Sequence, residues 1–244
     1  MYTNAIENYL KQHSYHHIHL KAVLFDMDGV LFNSMPNHAR AWNEAMKHYG
    51  MHLSCEEAYL HEGRTGASTI NIVSQRERGH DATPEEIERI YHTKTEIFNS
   101  YPKAERMPGA WEAIRQMKAD GLTIMVVTGS GQASLLERLN RNFPDTFRQE
   151  LMVTAYDVKH GKPSPEPYLM ALEKARLHPN EAIVVENAPM GVHAGVAAGI
   201  FTVAVNTGPL PDQVLLDEGA NLLLPSMLAL SEQWEELYKE LGEE

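Results

Sequence analysis

Short apolar runs rich in Val, Ile and Leu punctuate the chain: AVLF at 22–25, TIMVV at 123–127, LMVTA at 151–155, AIVV at 182–185, FTVAV at 201–205 and ANLLL at 220–224. They are continuous rather than alternating, the pattern of strands covered on both faces. From residue 104 onward, segments with helical periodicity lie between them: GAWEAIRQMKAD, GQASLLERLNRNF, SPEPYLMALEKARL and APMGVHAGVAAG. Alternation of strand and helix predicts right-handed βαβ units, and so an α/β fold built on a doubly wound parallel sheet.

Residues 36–103 break this rhythm, because no buried-strand run occurs there. Helix-start signals replace it. Ser54-Cys55-Glu56-Glu57 has capping-box spacing, and Thr83-Pro84-Glu85-Glu86 puts proline at the first helical position and glutamate at the third. The pattern predicts an α-helical cap over 36–103, inserted into a core made of 20–35 and 104–244. Residues 1–19 form an N-terminal helical extension. The connections fall near 33–36 and 101–108, both rich in turn formers.

Composition narrows the class. With 43% hydrophobic residues, 244 residues can bury a sizeable core. A net charge of -12 and the lack of any Lys/Arg stripe exclude a nucleic-acid or anionic-membrane surface. No apolar stretch approaches the roughly 20 residues of a membrane span. One cysteine, Cys55, precludes an internal disulfide and fits a reducing cytoplasm. His13, His16, His17 and His19 invite a metal reading, but the stretch grades directly into a strand with no closed-site spacing. It is read as a solvated helix and a strand lead-in. The expectation is a cytoplasmic monomer.

Ligands of doubly wound sheets bind beyond the carboxyl ends of the strands. After the first strand come Asp26-Met27-Asp28-Gly29, two acids on one side of an extended chain whose repulsion a cation would offset. After the second come Thr128-Gly129-Ser130-Gly131-Gln132, a hydroxyl and backbone amides opening a helix, which suit a phosphate. Lys162 follows the third and would neutralise phosphate charge. Glu186-Asn187 follow the fourth. With Asp26 they offer the oxygen donors that Mg²⁺ prefers, and Mg²⁺ commonly leaves positions for water and a substrate phosphate. A carboxylate in this setting can attack phosphorus, and a second can move the proton.

D-x-D-G at 26–29, then Thr128, Lys162 and the pair at 186–187, each behind an expected strand, resemble the haloacid dehalogenase superfamily. Within it, the chain is similar to the β-phosphoglucomutase-like and sugar phosphatase branch with a helical cap, over nearly all of residues 20–210. That resemblance implies Asp26 as nucleophile, Asp28 as acid/base and as a metal ligand through its main-chain carbonyl, Thr128 and Lys162 as phosphate binders, and Glu186-Asn187 as the metal pair. It also raises His38, since related caps carry a histidine near the acid/base aspartate. The implied activity is Mg²⁺-dependent hydrolysis of a small phosphorylated metabolite, a sugar phosphate above all. The alternative is intramolecular phosphoryl transfer of the β-phosphoglucomutase type, and a remote one is a non-catalytic protein that binds a phosphometabolite.

Two departures matter. Relatives usually have aspartate where this chain has Asn187, which removes a charge from the metal site and predicts weaker Mg²⁺ binding that Asn187→Asp would restore. Related mutases also carry a Lys-Gly-x-x-Arg loop in the cap for the distal phosphate. The corresponding stretch here is Glu62-Gly63-Arg64-Thr65-Gly66. Glu62 would repel a second phosphate, leaving Arg64 and Lys94 as the cap's positive substrate-binding groups, so net hydrolysis is favoured.

Overall fold

The computed structural model describes residues 2–130 and 135–242. In chain order they form α1 (Thr3–His13), β1 (Ala22–Phe25), α2 (Met35–His48), α3 (Cys55–Leu60), α4 (Gly66–Arg78), α5 (Pro84–Ser100), α6 (Ala110–Ala119), β2 (Thr123–Val126) and α7 (Leu135–Asn142). The chain continues through α8 (Glu166–Ala175), β3 (Ala182–Glu186), α9 (Pro189–Ala197), β4 (Phe201–Val205), α10 (Asp212–Asp217), β5 (Leu222–Leu224) and α11 (Met227–Gly242).

The five strands form one parallel sheet in the order β2-β1-β3-β4-β5. Every residue of β1, β3 and β4 is buried, as continuous apolar runs require. The pleat divides β1 between two cores. Val23 and Phe25 join α6, α7 and α11 on one face, while Ala22 and Leu24 join Tyr168, Ala171 and Leu172 of α8 on the other. The expected strand at 151–155 is not one. Residues 149–151 make a 3₁₀ turn, and only Val153 pairs with the sheet, through a single bridge to Val127. Thr154 then turns the chain away, its amide and hydroxyl both donating to Asp157.

Residues 1–19 also differ from expectation, because α1 is not solvated. Tyr2, Ile6 and Tyr9 share one face at helical spacing and lie buried in the core. Tyr9 donates to the Gly199 carbonyl and meets Phe201 edge-on.

Helices α2 to α5 hold a core of their own, built on Met46, Leu53, Ile70, Val73 and Ile90. Both expected caps form. Ser54 accepts from the Glu57 amide, and Thr83 and Glu86 make a reciprocal capping box. The two chains joining this layer to the sheet are bonded to each other: the Asn33 amide donates to the Glu105 carbonyl, and Asn37 Nδ2 to the Pro102 carbonyl.

Candidate active site

β1 sits between the strands to which the chain departs, β2 and β3, so a crevice opens at their carboxyl ends. Asp26 follows β1 there, buried, with its amide donating to the Val185 carbonyl. Lys162 Nζ lies 2.5 Å from Asp26 Oδ1 and 2.6 Å from Glu186 Oε1, and donates also to the Val127 carbonyl. Glu186 ends β3. Its Oε1 accepts from Lys162 and from the Tyr168 hydroxyl, and its Oε2 from the amides of Asn187 and Ala188. Gly191 is required above it, since a Cβ there would lie 1.7 Å from Oε1.

The chain turns back on Gly29 at φ +82°, where a Cβ would also strike the Asn187 amide. This turn brings Asp28 against Ser34, whose hydroxyl donates to Oδ1 at 2.5 Å, and His38, whose Nε2 lies at 3.4 Å. Behind His38, Lys94 Nζ lies 2.8 Å from Nδ1. Thr128 follows β2 and accepts from the Ser130 amide.

A cavity of about 120 Å³ lies between this rim and the helical layer. Asp26, Asp28, Thr128, Gly129, Ser130, His38, Arg64 and Lys94 all line it, so the structure gathers most of the residues singled out by sequence. Gly131 and Gln132 lie outside the described residues. Asn187 is adjacent, its Nδ2 donating to Glu62 Oε1 of the helical layer at 2.9 Å.

The electrostatics follow from burying acids together. Burial pushes Asp26 up to about 7 against the pull of Lys162, with Glu186 adding to the rise. Burial opposes the charge of Lys162, yet Asp26 and Glu186 hold it protonated well above the usual lysine range. Asp28 is the converse: burial would raise it, but His38 and Ser34 outweigh that and hold it well below the ordinary value. Burial, then the Lys94 charge, lowers His38.

Several residues escaped the sequence reading. Ser34 on Asp28 and Tyr168 on Glu186 carry no motif. Arg138 of α7 stacks 3.9 Å over Phe32 and lines the cavity. Only the register of α7, with Leu135 and Leu139 buried, could have pointed to it. Trp42, Tyr91 and Phe98 surround Lys94.

The residues fit a hard cation. Asn187 Oδ1 is buried with no hydrogen-bond partner, and Asp26, buried at the end of the neighbouring strand, offers carboxylate oxygen. Among the described residues no three His, Cys, Asp or Glu side chains cluster as metal ligands. The donor set is therefore sparse, as Mg²⁺ sites completed by water and substrate phosphate are.

A parallel sheet with a helical insertion after its first strand defines the class, a capped α/β enzyme of phosphate-ester chemistry, phosphatase or phosphomutase. The model of the haloacid dehalogenase-like hydrolases matches residues 23–205, and the chain belongs to that family. It is 31% identical to Hexitol phosphatase A of Escherichia coli over 76% of this chain and 83% of the relative. It is 30% identical to the "Phosphorylated carbohydrates phosphatase" of Thermotoga maritima over 84% and 94%. A solved structure described as "Putative beta-phosphoglucomutase from Bacteroides vulgatus" superposes with TM-score 0.97 at 67% identity, over 99% of this chain and 98% of that one. No helix among the described residues is long and apolar enough to cross a membrane.

Proposed function

We propose that the protein is a Mg²⁺-dependent phosphohydrolase of a sugar or sugar-alcohol monophosphate, working through an aspartyl-phosphate on Asp26, with residues 36–103 as its cap domain. The observation that carries this reading is Asp26 held by Lys162 at the floor of a small cavity, with Asp28 alongside. Asp26 attacks phosphorus as the bond to the sugar oxygen breaks, and Asp28 gives that oxygen its proton. Water then attacks the phospho-aspartate, Asp28 takes the water's proton, and phosphate leaves. Held against burial well below the ordinary carboxylate range by His38 and Ser34, Asp28 suits the base of this second half; for the first half it must first be protonated, which the negative charge of a bound phosphate favours.

Asp26, the Asp28 main-chain carbonyl and Asn187 Oδ1 would hold Mg²⁺, which when bound neutralises phosphoryl charge. Glu186 has filled all four of its acceptor positions inside the protein and acts by fixing Lys162. The Thr128 hydroxyl and the Gly129 amide would take phosphate oxygens, and Lys162, its three N–H groups held by Asp26, Glu186 and the Val127 carbonyl, would offset phosphoryl charge from beside Asp26, while His38, Arg64 and Lys94 would face the sugar.

The relatives named as carbohydrate and hexitol phosphatases support this choice. So does Glu62, a buried acid lining the cavity at the position where the resemblance puts the lysine of the mutases' distal-phosphate loop. Mutase activity is the second reading, favoured by the description of the 67%-identical structure and by Arg64 and Lys94 in the cavity. Phosphate release from hexose and hexitol monophosphates tests the first. Phosphorus NMR of a β-hexose 1-phosphate separates the two: accumulation of the 6-phosphate without comparable free phosphate would establish the mutase.

A further inference from the structure

Three oddities meet at one point between cap and core. Position 62 is an acid buried to 9% exposure, in the turn between α3 and α4. Position 187 is an amide rather than a second carboxylate. Its Oδ1 is the one side-chain oxygen of an acid or amide, among the described residues, that is buried without a partner. An amide can present either end, and a glutamate oxygen that accepts from its nitrogen leaves the carbonyl end over. Glu62 Oε1 accepts from Asn187 Nδ2 at 2.9 Å, which leaves Oδ1 to point elsewhere.

We propose that Glu62 is a positioning residue that latches the cap to the core and selects the orientation of Asn187, aiming its carbonyl oxygen into the cation site. Acid and amide are then one coupled unit. A second carboxylate at position 187 would stand 2.9 Å from Glu62, beside Asp26, Asp28 and Glu186, with no amide N–H to give it, so the two acids must share a proton or repel. The expectation that Asn187→Asp alone improves the site omits this neighbour. Combining Glu62→Gln with Asn187→Asp reverses the direction of donation, the amide now on the cap and the carboxylate on the core. The exchange keeps both the hydrogen bond and the net charge.

The cation part rests on the proposed function, while the latch does not. The test is a double-substitution cycle on the full chain. Melting in EDTA is the first readout: Asn187→Asp should lower Tm by about 5 °C, and Glu62→Gln/Asn187→Asp should recover it. Mg²⁺ binding by calorimetry, without substrate, is the second. Glu62→Gln should weaken it about tenfold, as losing a partner that orients a ligand does, and the swapped pair should bind at least as tightly as the parent. Additive shifts in Tm, or no fall with Asn187→Asp, would overturn the latch. Native Mg²⁺ affinity in Glu62→Gln would overturn the orienting role. If Mg²⁺ binds to none of the four proteins, the functional reading fails with that role while the melting cycle still decides the latch.

Discussion

Lys94 Nζ lies 2.8 Å from Nδ1 of His38, inside a box of Trp42, Tyr91 and Phe98. An ammonium so placed is held away from water, and burial brings Lys94 down to about 8 although Asp28 pulls the other way. The folded chain therefore binds this proton less firmly than the unfolded chain. The penalty is present in full below about pH 8 and disappears as the pH rises from there toward the ordinary lysine value. His38 is lowered by burial and by the same charge, which favours the neutral imidazole whose Nδ1 can accept from the ammonium.

Lys94→Met should thus stabilise the protein at pH 7, by on the order of 1 kcal/mol once the lost ring contacts are set against the removed charge. The gain should shrink above pH 8. Turnover should fall, because the cavity loses a cation facing the substrate. Thermal melting at pH 7 and pH 10 checks the first part. An equal or lower Tm at pH 7 would show that the box stabilises the charge rather than tolerating it.

Asp26→Asn preserves shape, and Lys162 keeps Glu186 and the Val127 carbonyl as partners. The fold should survive with Tm within a few degrees of the parent. Phosphate release should fall at least about 10³-fold, because an amide cannot attack phosphorus. Retention of most activity with Mg²⁺ would remove Asp26 from the chemistry.

Gly191 tests the scaffold instead of the chemistry. A methyl there collides with Glu186 Oε1, the oxygen that holds Lys162 and Tyr168. Gly191→Ala should cost about 1–3 kcal/mol by overpacking and should reduce kcat through the displaced lysine. Urea unfolding with a steady-state assay checks both. An unaltered kcat would mean that Lys162 does not need Glu186.

What the sequence revealed and what it withheld divide along chain distance. Asp26, Thr128 and Glu186 were legible because each follows an apolar run, and parallel strands bring such ends together whatever lies between. The strand expected at 151–155 failed because apolar content alone does not supply a ladder. Val153 finds one rung before Asp157 turns the chain. The burial of α1 was masked by the histidines around it, although Tyr2, Ile6 and Tyr9 form an apolar stripe at helical spacing. Glu62 with Asn187 could not be paired beforehand, since 125 residues separate them and neither motif names the other.

The helical layer touches the core at Gly63, where a Cβ would lie 3.6 Å from that of Met190 in α9 and 3.5 Å from Lys162 Cδ. In this arrangement the cavity beneath the layer measures about 120 Å³, small beside the usual ligand cleft. We predict that substrate exchange involves a swing of the layer on its two connections, which are bonded to each other and would move as one. A disulfide is geometrically suited to this contact, since the Cβ separation falls within the range that such bonds span. Gly63→Cys/Met190→Cys, in a Cys55→Ser background, should turn over substrate when reduced and lose turnover when oxidised. Reduction should restore it. The φ of +85° at Gly63 makes the cysteine strained by about 1 kcal/mol, so the reduced form sets the reference activity. Full activity in the oxidised protein, with the crosslink verified by mass spectrometry, would show that the cap need not open for the cycle to proceed.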